Sequence, residues 1–132
     1  MAILRRALLA FAGLWALCGL AIAVLPRWLL VTWFDQTTYP DYTYVRMCGI
    51  AALGSAALAL MISRRLDEVW WWSWAFVLET VATAGITAVH ALATVPEGSA
   101  TWFWWLFAAT NAALAAGLLL GIARAGVEEP IV

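Results

Sequence analysis

The sequence predicts an all-α fold, an integral membrane four-helix bundle that forms a single domain over residues 1–132. Composition is the first support for this prediction. Hydrophobic residues make up 66% of the chain and charged residues only 11%, whereas a soluble domain carries roughly 25% charged residues. The second support is the presence of four apolar segments, each long enough to cross a bilayer as a helix. We therefore expect the lipid bilayer to surround the chain.

The first predicted helix covers about residues 7–25, a run without a charged residue that Pro26 ends. Arg5 and Arg6 precede it, as basic residues precede the apolar part of a signal peptide. However, the apolar run is longer than the roughly 7–15 residues of such a peptide, and no clear small-x-small cleavage site precedes Pro26. We therefore expect an uncleaved membrane-spanning helix.

The connection over residues 26–45 is the longest between the predicted helices. Its first part, RWLLVTWF at 27–34, is apolar and aromatic but too short to span, so we expect a short interfacial segment that lies along the membrane surface. Its second part carries Tyr39, Tyr42 and Tyr44. A long connection often serves as a lid or a binding loop. Tyrosines also favour the membrane interface, and this second interpretation is favoured.

The second predicted helix covers about residues 44–62 and has the sequence GIAALGSAALAL at its centre. Small residues let helix backbones approach closely in a membrane, where no hydrophobic effect drives helices together. We therefore expect this helix to be the one buried between neighbours. The stretch from Gly49 to Ala56 is also a candidate surface for self-association or for a protein partner.

The third and fourth predicted helices cover about residues 69–94 and 101–123, and a turn with Pro96 and Gly98 separates them. Tryptophan favours the membrane interface. Both helices begin with a cluster of this residue, namely Trp70, Trp71, Trp72 and Trp74 in the third and Trp102, Trp104 and Trp105 in the fourth. These tryptophan-rich faces are a second candidate surface for a partner.

The arginines predict the orientation, since short loops rich in arginine stay cytoplasmic. Five of the seven arginines lie near the N-terminus, in the turn after the second helix, or at the C-terminal end. The other two, Arg27 and Arg46, lie on the opposite side. We therefore expect both termini in the cytoplasm, one long outer loop over residues 26–45, and a multi-pass protein of the cell membrane.

Residue content excludes several function classes. The chain has no lysine, whereas retinal Schiff-base proteins, pyridoxal-phosphate enzymes and P-loop ATPases each need one. The net charge of −1 gives no reason to expect a nucleic-acid partner. No catalytic motif is recognisable, so we expect no cofactor and favour a non-enzymatic function. Cys18 and Cys48 are expected to be small core residues at different depths.

A polar stripe interrupts the third predicted helix. A carboxylate near the middle of a bilayer costs about 2.5–3.5 kcal/mol, and such residues usually face the bundle interior. Glu79, Thr83, Thr87 and His90 are spaced by four, four and three residues, which places them on one helix face. These four residues are candidates for a ligand or proton site.

Two polar residues of the fourth helix, Thr110 and Asn111, are expected at a similar depth to Glu79 and are added to the candidate site. The Asn111 amide would then donate to the Glu79 carboxyl. Two interpretations remain open. The polar residues form a helix–helix contact worth about 0.6–2 kcal/mol, which we favour, or Glu79 is the titrating group of a small-molecule or proton site.

No metal site is expected from these residues. Glu79 and His90 are eleven residues apart, which is roughly 16 Å along a helix, and metal–ligand bonds are about 2 Å long. Arg46 lies close to Asp41 in the sequence. It is expected to form a surface ion pair worth about 0–1 kcal/mol or, alternatively, to contact an anion at the outer mouth of the bundle.

The first half of the chain resembles the DoxX-like family of small bacterial membrane proteins. The resemblance rests on Arg6 before the first helix, on LPRW at 25–28, and on YVRMCGIAALG at 44–54. It implies a four-helix protein of the bacterial inner membrane, and it implies no particular reaction. The tryptophan clusters are not part of the family's pattern.

Overall fold

The computed structural model describes residues 1–128, and no β-strand occurs within that range. Four helical segments are long and apolar enough to cross a membrane, namely Ala2–Val24, Thr43–Arg64, Leu66–Ala93 and Trp102–Glu128. The predicted all-α class with four apolar spans is confirmed. The predicted domain over residues 1–132 includes the end of the acidic tail, which lies outside the described residues.

Five α-helices build the four spans: α1 (Ala2–Val24), α2 (Thr43–Arg64), α3 (Leu66–Val69), α4 (Trp74–Ala93) and α5 (Trp102–Glu128). A 3-10 turn at Trp70–Ser73 joins α3 to α4, so the third span is not one regular helix. The apolar part of the long connection, Trp28–Trp33, is a π-helical segment.

Two helix ends differ from the prediction. Helix α1 begins at Ala2 rather than near residue 7, and α5 continues to Glu128 rather than ending near residue 123. The prediction stopped each helix at the edge of its apolar run. Arginine is a good helix former, so a helix can extend past the apolar run into the interface. The Met1 ammonium group pairs with the Glu128 carboxylate, which ties the two extended ends together.

Helix α1 is the centre of the bundle. It packs against α2 on one side and α5 on the other, and the Phe11 ring lies 5.0 Å from the Phe76 ring of α4. The expectation that the second helix is buried between neighbours is wrong, because α2 packs mainly against α1. Its buried residues, Gly49, Ala56, Ala59 and Ser63, all lie on the face toward α1.

Two glycines allow α1 to touch its neighbours backbone to backbone. A Cβ atom on Gly49 would lie 2.7 Å from the Gly19 carbonyl oxygen and 2.7 Å from the Ala23 nitrogen. A Cβ atom on Gly121 would lie 2.7 Å from the Leu4 Cα. Real Cβ atoms do not approach other atoms this closely, so only glycine fits either position. Close backbone approach of this kind strengthens dispersion contacts between membrane helices.

The cysteines lie at about the same depth, and the expectation of different depths is wrong. Cys18 and Cys48 are each next to one of the glycines that touch, Gly19 and Gly49. Cys18 lies near the C-terminal end of α1 because Pro26 follows it closely. Both thiols are free, Cys18 half-buried and Cys48 exposed, so the expectation that both are core residues is also wrong.

Both described ends of the chain lie at the same end of the bundle. Besides the Met1–Glu128 pair, the Arg5 Nε donates to the Ser63 carbonyl oxygen at 3.2 Å, which joins the start of α1 to the end of α2. We call this the terminal end. The long connection and the turn before α5 lie at the opposite end, which we call the loop end.

Candidate functional site

Glu79 lies at the middle of the Leu66–Ala93 span. The Ser55 hydroxyl of α2 donates to its Oε1 atom at 2.9 Å. Helices α2 and α4 make little backbone contact with each other, so this hydrogen bond is a direct polar link between them. In a membrane such a bond contributes about 0.6–2 kcal/mol. Glu79 is therefore a helix–helix contact in this structure, with a serine rather than an asparagine as its donor.

Asn111 does not reach Glu79. Its Nδ2 donates to the Phe107 carbonyl oxygen of its own helix at 2.9 Å. The expected Asn111–Glu79 hydrogen bond is wrong, because the Glu79 carboxyl accepts from Ser55 instead. The expected similar depth of the two residues stays a prediction.

Asn111 is only 1% exposed, and its Oδ1 atom has no hydrogen-bond partner within residues 1–128. A buried amide oxygen without a donor costs about 1–3 kcal/mol. Among the residues of the candidate site, Asn111 is thus the one whose fully buried side chain leaves a polar atom without a hydrogen-bond partner in residues 1–128.

The threonines of the candidate site mostly bond to their own helices. The Thr87 hydroxyl donates to the Thr83 carbonyl oxygen at 2.7 Å, and the Thr110 hydroxyl donates to the Leu106 carbonyl oxygen at 2.8 Å. Such bonds within a helix satisfy a hydroxyl in an apolar environment. These hydroxyls are therefore not arranged around the Glu79 carboxyl, and the stripe does not form one connected polar network.

Sequence reasoning missed Thr80, which is fully buried and donates to the Phe76 carbonyl oxygen at 2.7 Å. It lies on the core side of the stripe, one residue from Glu79. The buried face of α4 is centred on Phe76, Thr80 and Thr87, so Glu79 lies at the edge of that face. A threonine adjacent to the stripe was visible in the sequence, but the position of α1 behind it was not.

His90 lies near the loop end of α4. Its ring centroid is 4.3 Å from that of Trp104 in an edge-on arrangement, and its Nδ1 atom shares a hydrogen bond with the Thr94 hydroxyl. Within the described part of the chain, no cluster of three or more histidine, cysteine or acidic side chains is close enough to hold a metal ion. His90 is an aromatic contact between α4 and α5.

Gln36 is a buried polar residue that sequence reasoning did not select. It is 5% exposed. Its Nε2 donates to the carbonyl oxygens of Phe34 at 2.7 Å and Ala100 at 2.9 Å, and its Oε1 accepts from the Trp104 Nε1 at 3.0 Å. A backbone bond from Ala100 to Asp35 at 3.0 Å runs beside them. Gln36 therefore fastens the long connection to the start of α5.

The Gln36 network was not recoverable from the sequence, because its partners lie 64 and 68 residues away. No spacing or periodicity relates such positions. A glutamine within an aromatic segment was the only signal. Both the nitrogen and the oxygen of the Gln36 amide are hydrogen-bonded, so the role of Gln36 is to hold the loop in place.

Arg46 does not pair with Asp41, which corrects the expected surface ion pair. The Asp41 carboxylate instead accepts from the Thr43 nitrogen at 3.0 Å and the Thr43 hydroxyl at 2.8 Å, at the start of α2. These hydrogen bonds hold the pKa of the Asp41 carboxyl below its usual value. Arg46 is instead one of the residues that line a groove at the loop end.

Comparison with models of protein families, with curated proteins and with solved structures found no match. The resemblance of residues 1–54 to DoxX-like proteins therefore stays a prediction. The function is therefore inferred from the positions of this chain's own side chains.

Proposed function

We propose that the chain is a non-enzymatic subunit or accessory protein of a membrane complex, which it joins through the outward face of α2. The association is with further copies of the chain or with another membrane protein. The observation that carries this proposal is the division of α2 into two faces. One face packs on α1, and the other is apolar and exposed.

The outward face of α2 has a regular spacing. Met47, Ile50, Gly54, Ala57 and Met61 follow one another at intervals of three, four, three and four residues, and all five are exposed. Apolar residues at this spacing form the seam of paired helices, since the pattern keeps one line of side chains facing a partner. The outward face is therefore built like a helix-packing surface.

Two features of the outward face favour a helix partner over lipid alone. A Cβ atom on Gly54 would meet nothing within 4 Å, so the backbone there is open to close approach by another helix. Met47 and Met61 lie on either side of it, and methionine adapts its shape to irregular partners. Gly49 and Ala56, the two ends of the candidate stretch, are already buried within the chain. Only the exposed residues between them are available to a partner.

The tryptophan-rich faces provide a second contact surface in this proposal. Trp71, Trp72 and Trp74 are exposed and line a groove of about 560 Å³ near the terminal end, together with Leu78. Large aromatic side chains contribute more contact area than other residues at interfaces. A partner that packs along α2 and this groove would cover the outward face of α2 and the tryptophan cluster of the third span.

The interior supports a structural role. The Glu79 carboxylate is bonded to Ser55, and the hydroxyls of Thr80, Thr87 and Thr110 are bonded to backbone oxygens. Most of these polar atoms are thus hydrogen-bonded, Glu79 to another helix and the threonines within their own helices. This arrangement favours a scaffold over a reaction site.

We place the terminal end in the cytoplasm and the loop end outside, in the cell membrane of a bacterium. Arg5, Arg6, Arg64, Arg65 and Arg124 lie at the terminal end, and the loop end has only Arg27 and Arg46. This bias follows the positive-inside rule.

The alternative function is a small-molecule or proton site in the bundle. The observation that favours it is the unpartnered Asn111 Oδ1, which lies beside the stripe of Glu79, Thr83, Thr87 and His90. In that case Glu79 would be the titrating group, and Asn111 and Thr110 would contact the ligand from α5.

Replacing Glu79 separates the two functions. Gln keeps a hydrogen-bond acceptor for Ser55, so Glu79→Gln is expected to preserve the thermal midpoint and the oligomeric mass of the purified protein. Glu79→Leu is expected to lower stability by about 0.6–2 kcal/mol, because the Ser55 hydroxyl loses its partner. The measurement is thermal unfolding in mild detergent between pH 5 and 9, with Ser55→Ala as the matched control. A lower midpoint or a smaller oligomeric mass for Glu79→Gln would contradict the structural role and favour a site that needs the ionised carboxylate.

A further inference from the structure

We propose that the groove at the loop end, between the end of α1 and the start of α2, binds the headgroup phosphate of an anionic phospholipid. The groove has a volume of about 560 Å³, and both Arg27 and Arg46 line it. It is distinct from the outward face of α2 that the proposed function uses, so either proposal can fail without the other.

The two arginines give the groove its charge. They come from different elements, Arg27 from the chain just after Pro26 and Arg46 from the first turn of α2, yet they reach one groove. Neither forms an ion pair with any acidic side chain of residues 1–128. The planar guanidinium group matches the geometry of a phosphate and binds it through paired hydrogen bonds.

The nearby acidic residue does not form an ion pair with either arginine. Asp41 precedes α2, but its carboxylate is bonded to the backbone nitrogen and hydroxyl of Thr43, and it is not among the residues that line the groove. The lining of the groove therefore includes two arginines and no acidic residue. An anion is the ligand that this charge complements.

The walls of the groove favour a lipid over a free ion. Val24, Leu25 and Val31 give the groove an apolar lining, and Trp28 and Tyr42 line it as well. Tryptophan and tyrosine favour the level of lipid headgroups. An amphiphile would place its phosphate against the arginines and an acyl chain along the valines. Basic pockets at the ends of membrane helices bind anionic headgroups by the same combination of charge and apolar contact.

The test is native mass spectrometry of the full-length protein in mild detergent, titrated with dioleoylphosphatidylglycerol. We expect one lipid to remain bound per chain and expect dioleoylphosphatidylcholine to bind more weakly. Arg27→Gln with Arg46→Gln should weaken binding of the anionic lipid roughly fivefold per arginine, or roughly 25-fold together. The matched control is Arg64→Gln with Arg124→Gln, two exposed arginines at the terminal end, which should leave that affinity unchanged.

Three results would overturn the proposal. Equal binding of the two lipids by the unmodified protein would show that headgroup charge is not recognised, and this comparison needs no variant to fold. Equal loss of binding in the two double variants would place the lipid elsewhere. Competition by glycerol 3-phosphate at the same concentration as the lipid would assign the site to a free phosphate, without a role for the apolar lining.

Discussion

Phe11→Ala is expected to lower the free energy of unfolding by about 2–4 kcal/mol, a large loss for a small bundle. Phe11 is fully buried in the core at the centre of α1. Its ring stacks on Trp15 at 5.0 Å and meets Phe76 of α4 at 5.0 Å. Removing the ring leaves a cavity that the surrounding helices fill only in part. The loss of stability comes from lost packing contacts and not from transfer of apolar surface to water, because lipid is about as apolar as the core.

The matched control for Phe11→Ala is Leu17→Ala in the same helix. Leu17 is 71% exposed, so its side chain contacts lipid or detergent and its removal opens no cavity. Reversible unfolding in mixed micelles measures both variants. Equal destabilisation by the two substitutions would contradict the placement of α1 at the centre of the bundle.

Gly49→Ala is expected to destabilise the protein by about 1–3 kcal/mol, although alanine is the better helix former. The added methyl group would lie 2.7 Å from both the Gly19 carbonyl oxygen and the Ala23 nitrogen. These are backbone atoms and cannot rotate away, so α2 must move away from α1. The loss of close contact would lower the thermal midpoint in detergent and expose the half-buried Cys18 to thiol reagents.

Gly13→Ala is the control for this second substitution. Gly13 lies in α1, the other helix of the same contact, and its added methyl group would meet nothing within 4 Å. We expect no loss of stability and a gain of up to about 1 kcal/mol from helix propensity. If the two alanine variants unfold at the same temperature, the backbone contact between α1 and α2 is not as described.

Sequence reasoning succeeded for properties that depend on one segment at a time. The four spans follow from the length and apolarity of each segment, and Glu79 is conspicuous because a carboxylate in the middle of an apolar run is costly. The small residues of α2 were likewise identified as packing residues. Each of these properties can be judged without knowing which helix is next to which.

Properties that depend on two segments were not recoverable. The central position of α1 arises because Gly19 and Gly121 contacts fix it against both α2 and α5. The donor to Glu79 is Ser55, 24 residues away on α2, and not Asn111, whose amide donates to the Phe107 carbonyl oxygen of its own helix. In lipid the pattern of apolar residues does not determine which helices pack together, because an apolar face is equally stable against lipid tails and against another helix.

The proposed association through the outward face of α2 is tested most directly by the mass of the full-length protein released from its membrane in mild detergent. We expect a mass above that of a single chain. It is either a multiple of the chain mass or the mass of the chain together with a second membrane protein in fixed ratio. Gly54→Trp, which fills the open space at the centre of that face, should reduce the mass to one chain, whereas Leu92→Trp on an exposed position of α4 should not. A single-chain mass for the unmodified protein, or the same assembly in both variants, would contradict it.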